Sequence, residues 1–201
     1  MGRSKKIVDT NVIVDKALDL IESNGYDQFS TRKLAVELGI SAMTLYNYFE
    51  NRDAIITQVI IKGFDSFWSG IPADLENYSR KTGNPLRVYN LLTEYLISFG
   101  RSRPHLYTFL FNSNLTHLQS DPEIYSRYAS VFLFVQSYSR PGASLDLIHS
   151  DLYMFQVLAN ALVLNAINGR SNMSPERFRI YIARAYELYI KPHEPDFDFS
   201  F

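Results

Sequence analysis

Cysteine is missing from all 201 residues. That removes disulfides and thiolate metal sites and suits a reducing compartment. No apolar run approaches the about 20 residues that a bilayer-crossing helix needs, so no membrane span is expected. Asp9 and Asp15 follow the cations Arg3, Lys5 and Lys6 and break the apolar stretch an export signal requires. A cytoplasmic location is expected. Strand-type alternation is nearly absent. There is no phosphate-cradling glycine loop, no Gly-x-Ser-x-Gly and no dinucleotide turn. The four histidines (His105, His117, His149 and His193) lack ligand spacing and are expected at the surface or in loops. An enzyme, a cofactor and a metal are therefore not expected. A positive surplus is lacking too. Net charge is −1, and residues 1–53 hold seven Lys or Arg against eight Asp or Glu. Any DNA contact must come from local placement of cations rather than bulk attraction.

What the chain does have is helical spacing throughout. Val14, Ala17, Leu18 and Ile21 form one apolar stripe that stops at Asn24-Gly25. Leu34, Ala35 and Leu38 form a second, closed by Gly39. Three later helix starts share a capping residue followed by proline: Asn84-Pro85, Asp121-Pro122 and Ser174-Pro175. The cap oxygen accepts an unpaired N–H, and proline loses nothing where its N–H would be unpaired anyway. About nine helices are expected, in an all-α fold. The aromatics mark two sections. Only Tyr26, Phe29, Tyr46, Tyr48 and Phe49 precede residue 60, and the other 24 of the 29 follow it. The sections expected are 1–52 and 53–201.

The stretch Phe29 to Phe49 carries the chemistry. Ser30 caps a helix over 31–38, and Gly39 takes the left-handed conformation that ends it. Ser41 caps the next helix, over 42–48, with Leu45 and Phe49 four apart and facing inward. Two short helices around a glycine turn make a helix-turn-helix. The outward face is Ala42, Met43, Thr44, Asn47 and Tyr48, with Tyr46 beside it and no Lys or Glu among them. Thr and Asn hydrogen-bond base edges, methyl groups touch thymine, and tyrosine hydroxyls bond phosphates. Arg32 and Arg52 flank the face with charge. Leu45 and Phe49 are core residues on any reading, and core packing is the competing account of Tyr46 and Tyr48.

Phe29-Ser30-Thr31-Arg32, Leu34-Ala35, Gly39-Ile40-Ser41, Leu45-Tyr46-Asn47-Tyr48-Phe49 and Arg52-Asp53 occur in the order and spacing of the TetR family's DNA-binding domain. The resemblance covers roughly residues 7–60. It implies an N-terminal three-helix DNA-binding domain, followed by a helical domain that binds a small molecule and dimerises. It implies that Tyr46, Tyr48 and Arg52 contact phosphates and that Thr31 and Arg32 touch the DNA backbone. Ala42, Met43, Thr44 and Asn47 then face the major groove, with Ser41 among the DNA-binding residues. The family often has Lys, Arg or Pro in place of Ala42, Gly in place of Met43, Lys in place of Arg52 and His in place of Tyr48. Those departures bear on base preference rather than on phosphate anchoring.

The C-terminal section speaks for itself in part. Residues 146–168 are apolar on nearly every side, with Leu152, Phe155, Leu158 and Leu162 on one stripe and Met154, Val157, Ala161 and Leu164 on another. A helix apolar all round must be buried all round. One face is expected on the chain's own core and the other on a second copy, joined by the helix over 175–191; a fully internal core helix is the competing account. A small-molecule pocket is expected among Trp68, Tyr95, Phe99, Tyr107, Phe111, Tyr128 and Phe155, for a largely apolar or aromatic effector. Ordinary aromatic packing is the competing account of each of these residues. The partners expected are a palindromic double-stranded operator, that effector and a homodimer mate. The alternatives are a helical small-molecule carrier or scaffold that no longer reads DNA, and an activator on the same fold.

Overall fold

The structure, a computed structural model, describes residues 8–70, 88–118, 120–169 and 174–193. Among them are nine α-helices and no strand. The helix start expected at Asn84-Pro85 and the tail beyond His193 lie outside the described residues. The fold separates into two compact units, Met1–Ser69 with Arg103–Tyr125, and Gly70–Ser102 with Ser126–Phe201.

In the first unit, α1 (Thr10–Asn24) begins where the Asp9 carboxylate accepts the Asn11 N–H at 2.8 Å. Ile13, Val14, Ala17, Leu18 and Ile21 point inward, and the helix ends with the Gly25 N–H on the Ile21 carbonyl. α2 (Thr31–Leu38) starts at Ser30, whose Oγ accepts the Lys33 N–H at 3.2 Å. It stops at Gly39, at φ 66° and ψ 33°, a conformation that favours glycine. The Ile40 N–H then reaches back to the Ala35 carbonyl at 3.0 Å. α3 (Ala42–Leu45) is capped by Ser41, whose Oγ accepts the Thr44 N–H at 3.1 Å. It is shorter than the helix expected over 42–48. Tyr46 to Tyr48 form turns instead, held by Asn47 N–H to the Thr44 carbonyl and Tyr48 N–H to the Leu45 carbonyl.

α4 (Arg52–Ser69) supplies the widest apolar face, with Ile55, Ile56, Val59, Ile60, Phe64 and Phe67 buried. It packs on α1 and on the later helix α6 (Pro104–Asn112), whose Leu106, Tyr107, Phe109 and Leu110 are also buried. Gly63 makes that close approach possible. A Cβ there would stand 3.0 Å from a methyl of Leu110 and 3.3 Å from one of Leu106. Both leucines are at most 2% exposed and have no solvent to swing into. Gly63→Val should therefore lower unfolding stability by about 1–3 kcal/mol, the usual result of overpacking a tight core. Chemical denaturation checks it. Gly63→Ala should cost less, because alanine regains up to about 1 kcal/mol of helix propensity.

In the second unit, α5 (Val88–Ser102), α8 (Leu145–Ile167) and α9 (Pro175–Tyr189) pack on one another. α7 (Pro122–Tyr138) starts in the first unit and continues into the second. The two described caps that stand before a proline behave as expected. Asp121 accepts the N–H groups of Glu123 and Ile124, and Ser174 accepts that of Arg177. The inward stripe of α8 is Ile148, Leu152, Phe155, Ala159 and Val163. Leu158, expected beside Leu152 and Phe155, points outward instead, at 39% exposure. By length and a mean hydropathy of 1.4, α8 would also suffice to cross a bilayer. Asp146, Asp151, Asn160 and Asn165 break its apolar run, and its inward stripe forms the core of this unit. His193 departs from its expected surface position. It is 1% exposed, with Nε2 at 2.8 Å from Oδ2 of Asp151 on α8. The pairing spans 42 positions, which local spacing does not show.

Candidate nucleic-acid interface

Two inward residues set the attitude of α3. Leu45 is fully buried and Phe49 is 9% exposed, so the opposite face must turn outward. Ser41, Met43, Tyr46 and Asn47 are exposed, Met43 to 80%. Ala42, Thr44 and Tyr48 are half-buried. Asn47 is open to solvent and Thr44 partly so. The Thr44 hydroxyl lies 2.8 Å from the Ser41 hydroxyl, which fixes its direction. An exposed methionine is an unfavourable surface residue, and a thymine methyl is one partner that would cover it.

The two tyrosines are held by bonds that the sequence did not reveal. The Tyr46 hydroxyl lies 3.2 Å from the Thr31 hydroxyl, joining the turn after α3 to the start of α2. The Tyr48 hydroxyl accepts the Val8 N–H at 3.2 Å and fastens the chain just before α1. A phenol that accepts one bond still has its own hydrogen to donate. The Tyr48 hydroxyl therefore keeps its hydrogen for a phosphate, and the Tyr46 hydroxyl does so when Thr31 is the donor.

Arg32 on α2 is exposed and makes no side-chain hydrogen bond among the described residues. Arg52 is held more closely. Its Nη1 donates to the Tyr26 hydroxyl at 3.1 Å, and its guanidinium lies 5.1 Å from the Tyr26 ring centre and 5.7 Å from that of Phe29. Arginine stacks on rings in this way and keeps further N–H groups for a phosphate. Tyr26 is thus a supporting residue that sequence reasoning missed, because it stands 26 positions from Arg52.

The seven aromatics expected to line a pocket divide between the units. Trp68, Tyr107 and Phe111 belong to the first. There Phe67 packs edge-on against Trp68 and Phe111, and Tyr107 lies 5.0 Å from Phe111. Burial pushes the Tyr107 phenol well above its usual range, so it stays neutral. Tyr95, Phe99 and Phe155 belong to the second unit, with Tyr95 and Phe99 at 6.1 Å. The Tyr128 side chain lies outside the described residues. A groove of about 520 Å³ in the second unit is lined by Glu94, Ile97, Ser98, Arg101, Ser102, Phe178 and Arg179, none of them among the seven.

Residues 13–59 match the sequence profile described as "Bacterial regulatory proteins, tetR family". The chain is 30% identical over 64 residues to the fatty acid metabolism regulator protein of Bacillus subtilis (strain 168), covering 32% of this chain and 33% of that one. It is 38% identical over 50 residues to the class D tetracycline repressor protein of Escherichia coli, covering 25% and 23%. The alignments therefore span a third or less of these relatives. The likeness of fold extends much further. A putative TetR-family transcriptional regulator from Vibrio parahaemolyticus superposes with a TM-score of 0.56 at 16% identity, over 90% of this chain and 98% of that one. The fatty acid degradation regulator FadR from Bacillus halodurans gives 0.58 at 15% identity, over 93% and 97%. The helix-turn-helix within residues 13–59 is similar to the DNA-binding domain of the TetR family, and the helical architecture of the described residues is similar in fold to these solved regulators.

Proposed function

We propose that this protein is a DNA-binding transcriptional regulator, a repressor that leaves a palindromic operator when a small molecule binds. The observation that carries the proposal is the outward face of α3, with Met43, Asn47 and Tyr46 exposed, and Arg32 exposed on α2, against which α3 packs. DNA reading is assigned to residues 1–52, effector binding and dimerisation to 53–201, and the cytoplasm as location.

The dimer is proposed to form through α8 and α9. Met154, Val157 and Leu158 on α8, and Ile180, Tyr181 and Leu188 on α9, stand 39–58% exposed. So much unpaired apolar surface on two packed helices is unusual for a monomer. A twofold axis would set the two α3 helices about 34 Å apart, one turn of duplex. The effector is proposed to be apolar or aromatic and to be met within one unit, by Trp68, Tyr107 and Phe111 of the first or by Tyr95, Phe99, Tyr128 and Phe155 of the second. Its binding would move α4 and change the spacing of the two heads. Ligand and DNA then oppose each other through a shared equilibrium, which requires that the ligand prefer one state.

The rival is a carrier or scaffold that no longer reads DNA, favoured by the −1 balance of residues 1–53 and by Ala42. Salt dependence separates the two. Arg32 and Arg52 from each protomer would neutralise four phosphates, so log affinity for a duplex selected from a random pool should fall with log salt at a slope of roughly −3 to −4. A carrier gives no such slope, because no counterions are released.

A further inference from the structure

We propose that the groove between α5 and α9 is a binding site for a small monocarboxylate with a flat apolar body. The site goes beyond the DNA-reading function and does not rest on it. It shares no residue with the outward face of α3, with the seven aromatics assigned to the effector or with the exposed residues assigned to the dimer. On α5 it is lined by Glu94, Ile97, Ser98, Arg101 and Ser102. Those positions recur at spacings of three and four, which puts them on one helix face. α9 supplies Phe178 and Arg179. All of these residues belong to the second unit.

Charge, shape and hydroxyls choose the ligand. The lining holds two guanidinium groups against one carboxylate, so it is one negative charge short. Glu94 Oε1 accepts from Arg179 Nε at 2.8 Å, which leaves the Nη groups of Arg179 to donate elsewhere. Arg101 has no hydrogen bond or ion pair among the described residues. A guanidinium forks onto both oxygens of a carboxylate, so a monoanion supplies the missing charge and a dianion exceeds it. Phe178 is 4% exposed and Ile97 is half-buried, whereas Arg101 and Arg179 are exposed. The apolar atoms thus lie deeper than the cations, and an apolar ring can settle there with its carboxylate outermost. The groove's volume of about 520 Å³ is that of a small-molecule site. Ser102 Oγ donates to the Phe99 carbonyl at 3.1 Å and keeps its lone pairs as acceptors. The Ser98 hydroxyl is exposed and can donate to the ligand.

Methyl NMR of the full-length chain, labelled at isoleucine and titrated with benzoate, tests this. The Ile97 methyl should shift and saturate, whereas that of Ile148, 1% exposed in the core of the same unit, should stay in place. Benzamide has the same shape without the charge and should bind at least about tenfold more weakly, as loss of hydrogen bonds to a charged group implies. Arg101→Met keeps the stem, loses the charge and should weaken benzoate to the same extent. Glu94→Gln should strengthen benzoate by about threefold, because an exposed ion pair is weak and its release frees Arg179 for the ligand. Both positions are exposed, so the core is untouched, and effects of opposite sign cannot both come from a damaged fold. An Ile97 methyl that does not move overturns the site. So does benzamide that binds as tightly as benzoate, or either variant that leaves benzoate affinity unchanged. Inorganic phosphate that shifts Ile97 with the affinity of benzoate marks a general anion patch and overturns it as well. All of these outcomes leave DNA reading intact.

Discussion

An acidic residue placed at both Val157 and Leu158 should convert the protein to a monomer and reduce operator affinity by about 10²- to 10⁴-fold, the usual gain from tethering two binding heads. Val157 is 44% and Leu158 39% exposed in the single chain. The protomer should therefore keep its fold, since neither side chain belongs to the inward stripe Ile148–Leu152–Phe155–Ala159–Val163. Two carboxylates per protomer would have to lose their water in the proposed interface, and burying charge is costly. Sedimentation in parallel with duplex titration checks the prediction. A monomer that binds the duplex as tightly as the parent would show that the two heads do not act together.

The second large effect concerns the proposed phosphate anchors. Tyr46→Phe with Tyr48→Phe should weaken binding at every sequence alike, because phosphates carry no base identity. A hydrogen bond to a charged group contributes about 1.5–3 kcal/mol, so even one lost anchor per protomer should reduce affinity more than tenfold. The same hydroxyls also face Thr31 and the Val8 N–H. Some of the loss will thus come from looser positioning of the turn after α3. A thermal unfolding scan separates the two contributions, since loss of phosphate contact alone leaves the transition temperature of free protein unchanged.

Much of the head was legible in the sequence because its determinants are local. Ser30, Gly39 and Ser41 act within three residues of themselves, and the structure has them capping and terminating as their chemistry requires. Leu45 and Phe49 face inward because four residues make roughly one turn. The end of α3 was less legible. No glycine or proline stops it, and seven residues at helical spacing look the same whether the last three continue the helix or coil into turns. The partners of Arg52, Tyr46, Tyr48 and His193 were not legible at all, because each lies 15 to 42 positions away.

The double-faced character of α8 was visible from composition, yet the position of its inward stripe was not. In a helix that is apolar on nearly every side, periodicity cannot tell which row faces the core. Leu158 and Val163 illustrate it, the first turned outward and the second fully buried. The aromatic-rich middle shows a related limit. Tyr95 and Phe99 stand close in sequence to Tyr107 and Phe111, but the boundary between the two units falls between them, at Ser102 and Arg103. Nearness along the chain marked these residues as one group, and the fold distributes them over two.

The central claim is that the outward side chains of α3 enter a DNA groove. A photo-crosslinking residue in place of Met43, with a second label in place of Leu133 on α7 as control, tests it in one measurement. Both parent residues are well exposed, at 80% and 55%. The label at position 43 should attach to bases near the centre of each half-site of a selected duplex, and the label at 133 should attach to none. A duplex that binds tightly yet leaves the label at 43 unreacted would mean that DNA is held by some other surface.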